Sequence, residues 1–179
     1  KILITGATGF LGNYVLNYLL QNTQHKIIAT SITGDKAIKQ SWYPQVQYVE
    51  ADLSDQKENY FEFFGHPDVL IHLAWKGLPN YKSTHHVDEN LMADQKFLTN
   101  IIEHGLNDVT VAGTCFEYGK CEGKLVETMN CTSELPYAQA KIQLFHSLSK
   151  LQNKNHYHLK WLRLFYVYGA GQNENALYS

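Results

Sequence analysis

Cysteine is scarce in this chain. The 179 residues hold three, Cys115, Cys121 and Cys131. An odd count without a C-x-x-C pair argues against a disulfide framework or a zinc site, and predicts free thiols in a reducing cytoplasm. Long apolar runs are missing, so no segment reads as a membrane span. No secretory leader is visible, because the first apolar run reads as a strand. The chain opens on Lys1, so a start methionine at least lies outside it. A basic excess is also lacking. The net charge of −2 argues against nucleic acid or an anionic membrane as partner. Nine histidines are present, including the pairs His85–His86 and His156–His158. No carboxylate or cysteine completes a metal set around them by spacing, so they read as solvated or hydrogen-bonded. There is no internal repeat and no low-complexity linker. With 44% hydrophobic and 18% charged residues, the composition is that of one domain, 1–179, with a sizeable core.

What is present begins at once. Residues 1–12 read KILITGATGFLG. Ile2, Leu3 and Ile4 suit a buried strand, and Phe10, Leu11, Tyr14, Val15, Tyr18 and Leu19 start a helical pattern. Between them Gly6, Gly9 and Gly12 recur every third residue. A strand, a glycine turn and a helix in succession make a dinucleotide-binding opening. Gly6 lets the chain turn, Gly9 lets backbone approach a pyrophosphate, and Gly12 lets the helix pack against the sheet. The exposed N–H groups of the helix start then favour phosphate charge.

Strands and helices alternate after that. Strands are predicted over 26–32, 46–50, 69–73, 108–112 and 159–168. Helices are predicted over 56–64, 88–104 and from 137 onward. Leu91, Phe97, Leu98, Ile101 and Ile102 form the inward face of the third helix, and Leu144, Phe145 and Leu148 that of the fourth. The pattern implies a three-layer α/β/α Rossmann fold with a parallel sheet. Dinucleotide folds usually carry an acid at the end of the second strand, against the adenosine ribose. Thr30, Ser31 and Ile32 stand there instead, Asp35 comes late, and Lys36 and Lys39 are near. That favours NADP, with NAD as the other candidate. Residues 78–83 lie beside the expected switch point of the sheet and read either as a substrate-side loop or as a solvated connection. His72 reads as packed in or under the sheet. Tyr137 and Lys141 form a Y-x-x-x-K, whose spacing puts phenol and ammonium on one helix face. A neighbouring ammonium favours the phenolate, so the Tyr137 pKa is expected to fall.

The G-x-x-G-x-x-G turn, the H-L-A strand end at 72–74, the Y-G pair Tyr118–Gly119 and the Y-x-x-x-K together resemble the extended short-chain dehydrogenase/reductases, in particular the NAD-dependent epimerase/dehydratase family. Within it, HLAWKGLPNYKS and AGTCFEYG are most similar to nucleotide-sugar 4-ketoreductases of the dTDP-6-deoxy-L-talose 4-dehydrogenase type. The resemblance implies a catalytic set of Thr114, Tyr137 and Lys141. It implies cofactor contacts at Gly6, Thr8, Gly9, Phe10, Leu11, Gly12, Ser31, Asp52, Leu53, Leu73 and Ala74, with Tyr137 and Lys141. Asp52 would take the adenine amine, or merely turn the chain. Thr114 would meet a substrate oxygen, or satisfy the strand end. Cys115 reads as a bystander thiol, with an epimerising base as the other possibility. Arg163 is expected to be structural. Tyr166 replaces a substrate-side Asn of the family. An Asn usual in the third helix has Asp94 at its place, and Asn90 is a turn early. The implied activity is C4 reduction or oxidation of a dTDP-4-keto-6-deoxyhexose by an NAD(P)-dependent enzyme. The alternatives are an epimerase that retains NAD and a catalytically silent dinucleotide sensor. A homodimer through residues 82–104 and 137–151 is implied. The C-terminal substrate lobe of such enzymes is missing here, so the chain is expected to be part of a longer protein.

Overall fold

A computed structural model describes residues 1–172, so the last seven residues of the 1–179 domain lie outside the described residues. Six parallel strands form one sheet: β1 (Ile2–Thr5), β2 (Ile27–Ser31), β3 (Gln47–Glu50), β4 (Val69–His72), β5 (Asp108–Thr114) and β6 (His158–Leu164). Their spatial order is β3-β2-β1-β4-β5-β6. Thr5 pairs with Thr30 on one side and His72 on the other, so the order reverses beside β1. Strand β1 is buried throughout because helices cover both faces of the sheet, which is why it reads as an unbroken apolar run.

Alternate strand residues point to opposite faces. Ile2, Ile4, Ile27 and Ala29 pack with Leu16 of α1 (Phe10–Asn22) and with Trp42. Leu3, Ile28 and Leu70 pack on the other face with α2 (Tyr60–Phe63), α3 (Leu91–Glu103) and α4 (Pro136–Gln152). The result is the expected three-layer α/β/α Rossmann sandwich. The inward residues of α3 are buried as the periodicity predicts. In α4, Leu144 and Leu148 are buried, while Phe145 is half-buried against Trp161 at 5.3 Å.

Several boundaries differ from the expectation. The helix over 56–64 shrinks to α2, because the Asn59 side chain accepts from the Glu62 N–H and fixes its start. The helix over 88–104 divides. A π-turn, His86–Asn90, precedes α3 and pushes the His86 and Asn90 side chains inward. Strand β5 runs two residues further than expected, to Thr114. Strand β6 stops at Leu164, which pairs with Thr114. Residues 165–168 have no β5 register left to follow and are exposed.

Candidate active site

The glycine turn fits the cradle expected of it. Gly6 has φ +69°, and a Cβ there would lie 2.8 Å from the Ala74 nitrogen. A Cβ on Gly12 would lie 2.2 Å from the Gly6 carbonyl oxygen, so α1 reaches the sheet only because that position carries none. Gly9 caps α1 without a side chain, and the first turn holds no acid. The leading N–H groups therefore carry the positive end of the helix dipole toward whatever lies in front of them.

In front of them is a cleft of about 580 Å³, at the carboxyl ends of β1, β2, β3 and β4. Gly6, Thr8 and Gly9 form its floor, Ser31, Thr33 and Lys36 one end, and Leu53, Leu73 and Ala74 a side wall. Its size is that of a small-molecule site. An open α/β sheet places its ligand at this reversal of strand order. Residues and shape thus fit a dinucleotide. Phe10, Leu11 and Gly12 form the first turn of α1 behind that floor, so the leading N–H groups are theirs. Asp52 is beside it, with its carboxylate accepting from the Ser54 N–H at 2.9 Å and from the Lys76 ammonium at 2.8 Å. Those contacts hold its pKa down to about 2, although partial burial opposes them. The Ser31 hydroxyl is shared with Tyr48 at 2.7 Å.

Thr114, Tyr137 and Lys141 come together behind one wall of the cleft. Thr114 ends β5 and is buried. Tyr137 and Lys141 sit in the first turns of α4, also buried. The Thr114 side chain lies close enough to the Tyr137 phenol to favour its ionised form. The Tyr137 pKa is raised, not lowered as the helix spacing suggested. Burial is the main cause, and the nearby Tyr81 and Glu117 add to it. The reason is direction. The Lys141 ammonium is turned onto the Trp75 ring, 3.8 Å from its centre, and among the described residues makes no hydrogen bond to the phenol. Burial lowers the Lys141 pKa to about 8, against the opposing charges of Asp94 and Glu117.

Trp75 was not legible as a site residue. Its indole forms part of the cleft wall, covers Lys141, and meets Tyr137 edge-on at 5.7 Å. It is held by His86, whose Nδ1 accepts from the indole N–H at 3.0 Å while Nε2 donates to the Asn80 carbonyl at 2.9 Å. Burial lowers the His86 pKa, which keeps the ring neutral and able to make both bonds. Asn80 belongs to the 78–83 loop, and Tyr81 of that loop packs on Tyr137 at 5.5 Å. The loop thus borders the candidate site and is more than a solvated connection. Asn90 and Asp94 both line the cleft. His72 is buried between Thr5 and Asp94, at 2.9 and 3.2 Å. Cys115 is half-buried, and burial raises its pKa, which favours the bystander thiol over a base. Arg163 pairs with Glu117 at 2.7 Å, the structural role expected.

A buried lysine with a lowered pKa has a measurable consequence. An unfolded Lys141 binds its proton up to about pH 10.4. The folded one releases it near 8. Stability therefore carries a penalty below pH 8 that is relieved as pH rises toward 10.4. Lys141→Met is expected to be more stable than the parent at pH 7, by roughly 1–3 kcal/mol. The gain should shrink across that window. Urea denaturation at pH 7 and pH 9.5 checks both.

The description "NAD dependent epimerase/dehydratase family" matches residues 2–179. The chain is 30% identical over 181 residues to the dTDP-6-deoxy-L-talose 4-dehydrogenase (NAD(+)) of Aggregatibacter actinomycetemcomitans, covering 100% of this chain and 66% of that protein. It is 25% identical to an uncharacterized UDP-glucose epimerase of Bacillus subtilis, covering 99% and 60%. Among solved structures it is similar to the UDP-glucuronic acid 4-epimerase of Bacillus cereus in complex with UDP-glucuronic acid and NAD. That match has TM-score 0.81 and 23% identity, covering 98% of this chain and 59% of that one. The chain spans about two thirds or less of the length of these relatives.

Proposed function

The chain belongs to the NAD-dependent epimerase/dehydratase family, and from that premise we propose that it carries the cofactor-binding and acid–base part of a nucleotide-sugar 4-ketoreductase. The substrate proposed is a dTDP-4-keto-6-deoxyhexose. One observation carries the reading: a buried Tyr137 phenol, kept protonated by its burial, lies near the buried Thr114 that ends β5. A phenol that holds its proton suits donation to a ketone oxygen as negative charge develops there. Thr114 donates a second hydrogen bond to that oxygen. Lys141 supplies positive charge behind the phenol, and Trp75 shields it from water until the site fills. The glycine turn holds the pyrophosphate of the dinucleotide, with Ser31 and Lys36 at its adenosine end. When bound, the nicotinamide supplies the hydride.

NADP is the cofactor proposed, because no acid ends β2 and Lys36 lines the cleft beside Ser31. Lys36→Ala should weaken NADPH binding about 10-fold and leave NADH unchanged, since a phosphate–ammonium contact on the cleft wall is worth on the order of 1.4 kcal/mol. Fluorescence titration with both cofactors checks this. A parent that prefers NADH would instead align it with the relative whose name specifies NAD(+). A homodimer through α3 and α4 is part of the same reading.

The deciding experiment uses the whole protein with dTDP-4-keto-6-deoxy sugars and NADPH or NADH, following loss of reduced-cofactor absorbance. Sugar-dependent consumption supports the ketoreductase. The epimerase reading is favoured by the B. subtilis and B. cereus relatives, both named epimerases. It predicts no consumption, a cofactor that survives dialysis, and a new sugar isomer.

A further inference from the structure

The reaction as proposed uses Thr114, Tyr137 and Lys141. A fourth ionisable group lies against them and has no part in that scheme. Glu117 is fully buried, three residues after Thr114. Burying a carboxylate this deeply is costly unless it is paired and hydrogen-bonded. Its partners are specific. Oε1 accepts from the Thr114 backbone N–H at 2.8 Å and from the Trp161 indole at 3.0 Å. Oε2 accepts from Arg163 Nε at 2.7 Å. Arg163 also donates to the Glu127 carbonyl at 2.8 Å and stacks over Tyr118 at 5.0 Å. Gly113 leaves room for this set, because a Cβ there would stand 2.6 Å from Oε1 and 2.3 Å from the Trp161 indole nitrogen. The carboxylate therefore ties the last residue of β5 to a cation and an indole on β6.

We infer that Glu117 is a positioning residue of the active site, holding the Thr114 backbone so that its hydroxyl faces Tyr137. The reciprocal arrangement makes this mechanical. The Thr114 hydroxyl accepts from the Phe116 N–H at 3.3 Å while Glu117 reaches back to the Thr114 N–H, so backbone and hydroxyl are fixed together. Glu117 has a second effect. Its negative charge helps hold the proton on Tyr137, which suits a proton donor. This inference rests on the ketoreductase reading for its kinetic consequence, and on geometry alone for the placement of Thr114.

The test has one arm for each. The first needs no substrate. In the whole protein, the Thr114 amide proton is read by ¹H–¹⁵N NMR in the parent and in Glu117→Gln. A charge-assisted bond gives a downfield amide, and the variant should move it upfield. An unmoved amide overturns the inference whatever the substrate proves to be. The second arm is kinetic. Glu117→Gln should lower kcat on the order of 10- to 100-fold at little-changed KM, the scale expected of a misplaced catalytic group. In a Thr114→Val background the same substitution should cost almost nothing more, since the group it positions is gone. Full additivity there overturns the inference. If Glu117→Gln alone does not fold, Glu117→Gln with Arg163→Gln removes both buried charges and carries the same measurements. Should no keto sugar be turned over, the ketoreductase reading fails while the amide shift still decides on Glu117.

Discussion

Tyr137→Phe is expected to lower kcat by on the order of 10³-fold, within the range that a general acid contributes. The ring stays. Its contacts with Trp75, Tyr81 and His86, at 5.7, 5.5 and 5.3 Å, are those of the ring and survive loss of the hydroxyl. Stability should therefore change little. Cofactor affinity should hold within about a factor of 5, because the cleft in front of the glycine turn is formed by other residues and any lost hydroxyl contact is worth about 1 kcal/mol or less. What disappears is the one proton positioned next to Thr114. Steady-state kinetics with NADPH titration on the same preparation separates the two effects. Turnover above a tenth of the parent would remove Tyr137 from the mechanism, and with it the ketoreductase assignment in its present form.

Gly12→Ala is expected to have the largest effect on the fold. The added Cβ would fall 2.2 Å from the Gly6 carbonyl oxygen and 2.9 Å from the Ala7 backbone. None of these atoms is the end of a flexible side chain, so α1 must retreat from the sheet. Overpacking of this kind costs about 1–3 kcal/mol in an ordinary core and more when only backbone can yield. The retreat also carries the helix start away from the cleft. Cofactor affinity should fall at least about 10-fold, equivalent to 1.4 kcal/mol, because the N–H groups that face the pyrophosphate move with the helix. Gly9→Ala is the control. Its Cβ would meet only the Gly6 carbonyl, at 3.1 Å, so it tests the approach of the cofactor more than the seat of the helix. Chemical denaturation and calorimetric titration of both variants read the two terms. Equal stability of Gly12→Ala and parent would mean that the turn relaxes in a way its contacts do not suggest.

The parts of this molecule that sequence reasoning reached are those governed by local periodicity or by a backbone requirement. Ile2–Thr5 reads as a doubly covered strand because nothing polar interrupts its core, and the glycines read correctly because the steric demand on each is local. Tyr137 and Lys141 share the start of α4 at the helical spacing expected of them, whereas Thr114 was implied by the family resemblance alone. What stayed hidden depends on contacts between distant segments. Nothing local tells that Trp75 turns its ring onto Lys141, 66 residues away, or that burial decides the Tyr137 pKa. His86 reads as solvated or hydrogen-bonded; the π-turn turns it inward to hydrogen-bond the indole, a partner that no spacing in the sequence names. The end of β6 was misplaced because residues 165–168 have strand-like side chains. The partner strand, which stops at Thr114, sets the true limit. Glu117 gave no signal, since a charged residue in a turn is usually solvated.

The order of strands also bears on how the chain is made. β1 ends in the middle of the sheet, but its two neighbours arrive at very different times. β2 follows within one helix, whereas the Thr5–His72 contact spans 67 residues. At translation rates of 5–20 residues per second, the open side of Ile2–Thr5 waits roughly 3 to 13 s for its partner. During that interval the β4 side of an apolar strand has no partner. Slower synthesis through residues 32–68 would lengthen the time that edge stays unpaired.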